Sequence, residues 1–120
     1  MNDAYAPGQH LLIDFWQAAQ PTDLAQVERL LRAAAAACGA SVLDVRLHGF
    51  GAAGGITGVA ILAESHISLH TWPERDFIAL DIFLCGQRDP LLALEVLRAA
   101  LRPGRVAVSA HRRGAASEAD

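Results

Sequence analysis

At 120 residues the sequence is one domain's worth of chain, without room for a second independent core. It is 52% hydrophobic and 19% charged, too apolar for a disordered chain. Its formal net charge is −3 and its basic residues are scattered up to Arg112-Arg113, which argues against the concentrated basic face that nucleic acid requires.

Residues 1–8 lack the basic start and apolar core of a signal peptide, and the longest apolar stretches are too short to span a bilayer. Residues 9–17 read as a first strand, rich in aliphatic and aromatic side chains. Pro21-Thr22-Asp23 then offers a helix start. Leu24, Val27, Leu30, Leu31, Ala34 and Cys38 follow at helical spacing, and Gly39 closes the helix. Residues 41–48 and 56–63 read as strands joined by the glycine-rich loop Gly49-Phe50-Gly51-Ala52-Ala53-Gly54-Gly55. Two more strands are predicted at 66–72 and 76–85, parted by a turn at Pro73-Glu74. Asp89-Pro90 pairs a capping carboxylate with proline at the first helical position, and Leu91, Leu94, Leu97 and Leu101 recur on one face behind it. Pro103-Gly104 ends that helix, residues 105–109 form a last strand, and residues 115–120 form a small polar tail expected to be disordered. Cys38 and Cys85 make no disulfide framework, so a reducing cytoplasm is expected.

The order β-α-β-β-β-β-α-β implies an α+β two-layer sandwich spanning residues 1–114: one mainly antiparallel sheet with both helices on a single face. In 77–85 the even positions Ile78, Leu80, Ile82 and Leu84 are all aliphatic, while Asp81 and Cys85 share the odd face with Phe77, Ala79 and Phe83. In 66–70, His66, Ser68 and His70 share a face opposite Ile67 and Leu69. Polar side chains of two neighbouring strands therefore collect on the surface away from the helices.

No metal site is expected. Two histidines four apart can grip zinc on a helix, but on a strand His66 and His70 stand about 13 Å apart. The glycine-rich loop has no Gly-Lys-Ser/Thr ending and leads into a strand, so it is no phosphate-binding loop.

The run Glu64-Ser65-His66-Ile67-Ser68-Leu69-His70-Thr71-Trp72-Pro73-Glu74, followed by Asp81-Ile82-Phe83-Leu84-Cys85-Gly86, resembles the bacterial and archaeal S-adenosylmethionine decarboxylase proenzymes. The resemblance extends from the first strand, through Phe50 and Thr57-Gly58, to His111-x-Arg113-Gly114. It implies that Ser65 attacks the Glu64 carbonyl, that the chain splits between 64 and 65 into a 1–64 chain and a 65–120 chain, and that Ser65 becomes a pyruvoyl cofactor. That ketone would take the substrate's amine and act as the electron sink for decarboxylation. By the same resemblance His70 is the processing base, Thr57 supports the acyl shift, and Cys85 returns a proton to the substrate carbon. Glu74 would hold the ribose hydroxyls, and Phe50 and Trp72 would stack on adenine.

The family implies a cytoplasmic homodimer with sites built from both protomers, acting on a small molecule and feeding spermidine synthesis. Three departures stand out: the loop after Phe50 lacks the usual proline and is one residue longer, Thr57 replaces serine, and Leu84 replaces threonine. The altered loop leaves ornithine or arginine as alternative substrates, and an uncleaved regulatory paralogue as a different class altogether. His10, His48, His66, His111 and Asp81 have no assigned role, though a carboxylate in mid-strand requires a partner if buried.

Overall fold

The computed structural model describes residues 7–115, so residues 116–120 of the expected tail lie outside the described residues. The elements are β1 (Gly8–Trp16), α1 (Leu24–Ala37), β2 (Val42–Gly49), β3 (Ile56–Leu62), β4 (Ser65–Trp72), β5 (Phe77–Cys85), α2 (Pro90–Leu101) and β6 (Arg105–Arg113), with a short 3₁₀ turn at Pro73–Arg75. The strands form one antiparallel sheet in the order β2-β3-β4-β5-β1-β6. The α+β two-layer sandwich expected from the sequence is what forms.

The helices start where the sequence places them. Asp23 caps α1 by accepting from the Gln26 N–H at 2.8 Å, and Asp89 caps α2 by accepting from the Leu91 N–H at 2.9 Å. Gly39, with φ 71°, carries the chain out of α1 in a left-handed conformation. Both helices press on the aliphatic face of the sheet. Val27, Leu31, Ala34 and Leu97 meet Phe15, Ile67, Ile78, Ile82 and Leu84 in the core, and all are fully buried. Burial of each large aliphatic side chain stabilises the fold by about 1.5–3 kcal/mol. Among the described residues no helix is long and apolar enough to cross a membrane.

The last strand departs from expectation: β6 runs to Arg113 and does not stop at Ser109. Its register on β1 pairs His10 with His111 and Gly8 with Arg113. Main-chain pairing, which is blind to side-chain polarity, carries the strand through Ala110-His111-Arg112-Arg113. As an edge strand it is exposed along most of its length, and past Ala110 its side chains are all polar or charged, so no apolar alternation marks that stretch in the sequence.

The other sheet face has no helix over it. It carries Leu12 of β1, Ile61 of β3, alternate residues of β4 (His66, Ser68, His70, Trp72) and the odd residues of β5. Leu12 and Ile61 are 46% and 41% exposed.

Candidate active site

Residues 63–64 form the two-residue tip of the hairpin between β3 and β4, so Ser65 is the first residue of β4. Tips this short normally use residues with positive φ. Neither Ala63 nor Glu64 has one; the distortion falls on Ser65, at φ 137°, a conformation that costs a non-glycine residue about 1–3 kcal/mol.

The Glu64–Ser65 peptide is held from several directions. The Glu64 carbonyl oxygen accepts from the Cys85 N–H at 2.9 Å, and the Ala63 N–H donates to the Ser41 carbonyl at 2.9 Å. The Glu64 carboxylate accepts from the Ser41 N–H at 2.9 Å and lies 3.2 Å from the Arg88 guanidinium. Cys85 ends β5 exposed to solvent, while Cys38 is buried at the C-terminal cap of α1, and burial pushes the Cys38 thiol up. The structure thus brings Ser65, Glu64 and Cys85 together at one end of β4.

A second group gathers at the other end of β4. His70 pairs with Thr57 across β3, and its Nδ1 lies 2.5 Å from the Thr57 hydroxyl. The Trp72 ring packs 4.1 Å from His70, and the Phe50 ring lies 6.0 Å from His70 on its other flank. His48 supports Phe50 at 4.6 Å, and Phe77 supports Trp72 at 5.3 Å. Phe50 is presented by a tight loop in which its N–H donates to the Gly55 carbonyl at 3.0 Å. A Cβ at Gly55 would stand 2.0 Å from the Thr71 carbonyl, so only glycine fits there. Glu74 lies exposed in the 3₁₀ turn just beyond Trp72.

His70 does not reach Ser65 within one chain. The five residue steps from one to the other along β4 span about 16 Å at strand rise. The motif is continuous in sequence, yet the two ends that carry its expected roles lie at two separate places.

Between these ends sits a network that the sequence left without roles. Asp81 faces Ser68 across the β4–β5 pair and accepts from the Ser68 hydroxyl. One of its oxygens is shared by His10 Nε2 at 2.8 Å and His66 Nε2 at 2.9 Å. Burial alone would push the Asp81 carboxyl up, but the hydrogen bonds from Ser68, His10 and His66 outweigh it and hold the group below the usual carboxylate range. The partner required for a buried mid-strand carboxylate is therefore three partners. The ligand atoms of His10, His66 and Asp81 lie within 4.8 Å of one another, a spacing a metal could use. Arg113 lies 2.9 Å from His10 Nδ1, and a guanidinium can only donate. His10 then carries its own proton on Nε2, where a metal ion would have to bind. His111 hydrogen bonds to Ser109 at 2.7 Å, outside this network.

A shallow hollow of about 380 Å³ joins these groups on the open face, lined by Leu12, Thr57, Ser68, His70 and Asp81 among others. Another of about 340 Å³, between the start of α1, the glycine-rich loop and Pro73, contains one ionisable residue, Asp23, whose carboxylate is engaged as the helix cap. Of the two hollows, only the first is lined by residues the sequence singled out for a role, Thr57 and His70.

A sequence profile described as S-adenosylmethionine decarboxylase matches residues 9–114. The S-adenosylmethionine decarboxylase proenzyme of Methanococcus aeolicus is 40% identical over 114 residues, covering 92% of this chain and 97% of that protein. The proenzyme of the same description from Thermomicrobium roseum is 39% identical over 108 residues, covering 89% and 93%. The crystal structure of the adenosylmethionine decarboxylase from Aquifex aeolicus superposes with a TM-score of 0.85 at 30% identity, covering 96% of this chain and 97% of that one. The chain belongs to the S-adenosylmethionine decarboxylase family.

Proposed function

We propose that the chain is a precursor that cuts itself once, between Glu64 and Ser65, and that two cleaved copies together remove carbon dioxide from S-adenosylmethionine. The observation that carries the first step is the state of the scissile peptide: strained at Ser65 and with its carbonyl already seated on the Cys85 N–H. In the acyl shift the Ser65 Oγ attacks the Glu64 carbonyl carbon and negative charge develops on that carbonyl oxygen. A preorganised N–H at this atom stabilises the charge without reorganisation. Elimination then removes the Ser65 α-proton and releases Glu64 as a carboxylate. Hydrolysis of the remaining dehydroalanine end, with loss of ammonia, leaves the pyruvoyl group.

The residues fit a pyruvoyl group at position 65, because the serine that would form it stands at an accessible hairpin tip beside an exposed thiol. Once formed, its carbonyl supplies the electron sink for the charge left as carbon dioxide departs. Cys85, one residue beyond the strand partner of Ser65, returns a proton to the substrate carbon.

The base for the α-proton is His70, with its imidazole oriented by Thr57. Since His70 of the same chain lies a strand's length away, we assign this role to His70 of a second copy packed through the open sheet face. The same packing brings Phe50, Trp72 and Glu74 of one copy to Ser65 of the other, where the rings accept the adenine and Glu74 the ribose. The exposed Leu12 and Ile61 and the half-buried rings of this face support such a contact. The two free thiols, Cys38 and Cys85, support a reducing cytoplasm as the place where the enzyme works.

Intact-mass measurement on the purified protein tests the first step. Two fragments, with the 65–120 chain blocked at its N-terminus, are expected; a single uncut mass, stable on incubation, overturns the reading. Release of labelled carbon dioxide from S-adenosylmethionine, ornithine and arginine tests the second, and release from the amino acids alone overturns the substrate assignment.

A further inference from the structure

The side chain of Glu64 is unusual for a hairpin tip. Tips ordinarily hold polar side chains out in water, whereas the Glu64 side chain is only 15% exposed and both carboxylate oxygens are engaged. The partner on one side, Arg88, is itself fixed. Its Nη2 faces Glu64 Oε2 at 3.2 Å, while its Nη1 donates to the carbonyls of Gly39 at 2.5 Å and Cys38 at 3.4 Å, where α1 ends. The Arg88 carbonyl in turn accepts from the Gln9 side chain at 3.2 Å. The planar fork thus ties the scissile hairpin to the end of α1, a bridge that a single ammonium cannot reproduce.

Resting on the self-cleavage reading above, we propose that Arg88 is a positioning residue for that reaction. It acts through the Glu64 carboxylate. Together with the Ser41 N–H it fixes the acyl donor, so that the Glu64 carbonyl stays on the Cys85 N–H while the Ser65 hydroxyl attacks. The bond between Glu64 and Ser65 is the one that breaks, so the same guanidinium retains the freed C-terminal residue of the 1–64 chain.

The test follows the uncut fraction with time by intact mass for freshly purified wild type, Arg88→Ala, Arg88→Lys, Glu64→Gln and the double variant Arg88→Ala/Glu64→Gln. Misplacement of a reacting group by about 1 Å can slow a reaction by about a hundredfold. Arg88→Ala and Glu64→Gln are each expected to slow cleavage by about ten- to a hundredfold, and Arg88→Lys to recover part of the loss. The double variant is expected to be no slower than Glu64→Gln alone, because the two residues act as one unit. Millimolar guanidinium ion should partly restore the Arg88→Ala rate. A role confined to supporting α1 would instead slow the Glu64→Gln background as much as the wild type, and that result overturns the proposal. So does cleavage of either single variant at the wild-type rate. A wild type that stays uncut overturns the cleavage reading and this proposal with it, whereas a wild type that cuts beside an equally fast Arg88→Ala overturns this proposal alone.

Discussion

If Ser65 of one copy is served by His70 of another, two inactive precursors must rescue each other. Ser65→Ala removes the nucleophile and leaves His70; His70→Ala removes the base and leaves Ser65. Within one chain the two residues are about 16 Å apart along β4, several times a hydrogen-bond length of about 3 Å, so neither variant can complete a site alone. In a mixed dimer built on the same two-fold contact, one site joins an intact Ser65 to an intact His70, and the other joins alanine to alanine. Equal co-expression with random pairing puts about half of the His70→Ala chains into mixed dimers, so about half of them should be cut. The 65–120 fragment carries the His70→Ala mass, so mass spectrometry identifies which precursor was cleaved. The Ser65→Ala chain should stay whole in every sample. A His70→Ala precursor that remains uncut beside an excess of Ser65→Ala refutes the shared site. One that cuts alone at the wild-type rate refutes the role of His70.

Further outcomes follow from the geometry. Cys85→Ala keeps the N–H that holds the Glu64 carbonyl and loses the thiol, so cleavage should proceed within about threefold of wild type while decarboxylation falls by about 10²–10⁴. Phe50→Ala removes a ring that is 56% exposed and not part of the core, so the melting temperature and cleavage should hold while KM for S-adenosylmethionine rises about three- to tenfold. Asp81 holds its proton more weakly in the folded chain than when unfolded, so its stabilisation is present in full above the unfolded value of about 3.9 and is lost as pH falls through the lower folded value. In the uncleavable Ser65→Ala background, Asp81→Asn should cost about 1.5–3 kcal/mol at pH 7, and the gap in melting temperature should begin to narrow as pH falls below about 4.

Much of this layout was legible beforehand. The aliphatic run Ile78, Leu80, Ile82, Leu84 identified both the strand and its buried face, and Asp23 and Asp89 marked the two helix starts because a capping carboxylate leaves a local signature. The register within β4–β5 was not legible: strands read at 66–72 and 76–85 leave three residues between them, whereas the four residues 73–76 set Ser68 opposite Asp81. The insertion of β1 between β5 and β6 was not legible, since that pairing joins distant segments and leaves no local trace. It is this pairing that carries His10 to Asp81 and Arg113 to His10. Arg88 escaped notice for the same reason, because its partners lie in a hairpin and a helix end remote in sequence. The separation of Ser65 from His70 needed no structure. The strand spacing that forbids His66 and His70 a common metal also forbids His70 a contact with Ser65.

A site divided between the two ends of one strand also constrains how the copies meet. In a two-fold contact, whatever end of β4 a residue meets on the partner, the partner's counterpart meets on it in return. Joining Ser65 of one copy to His70 of the other therefore requires β4 and its mate to run in opposite directions across the interface. One such contact creates two identical sites at once. The middle of β4 then lies nearest the two-fold axis, and there the structure places Ser68, hydrogen bonded to Asp81 and backed by both His10 and His66. A carboxylate buried between two sheets must be paired, because its desolvation cost rises as water leaves. The three donors around Asp81 would meet that requirement in a single copy, ahead of any such packing. In the proposed dimer this network would let a polar centre be covered, with the proposed chemistry at the two ends.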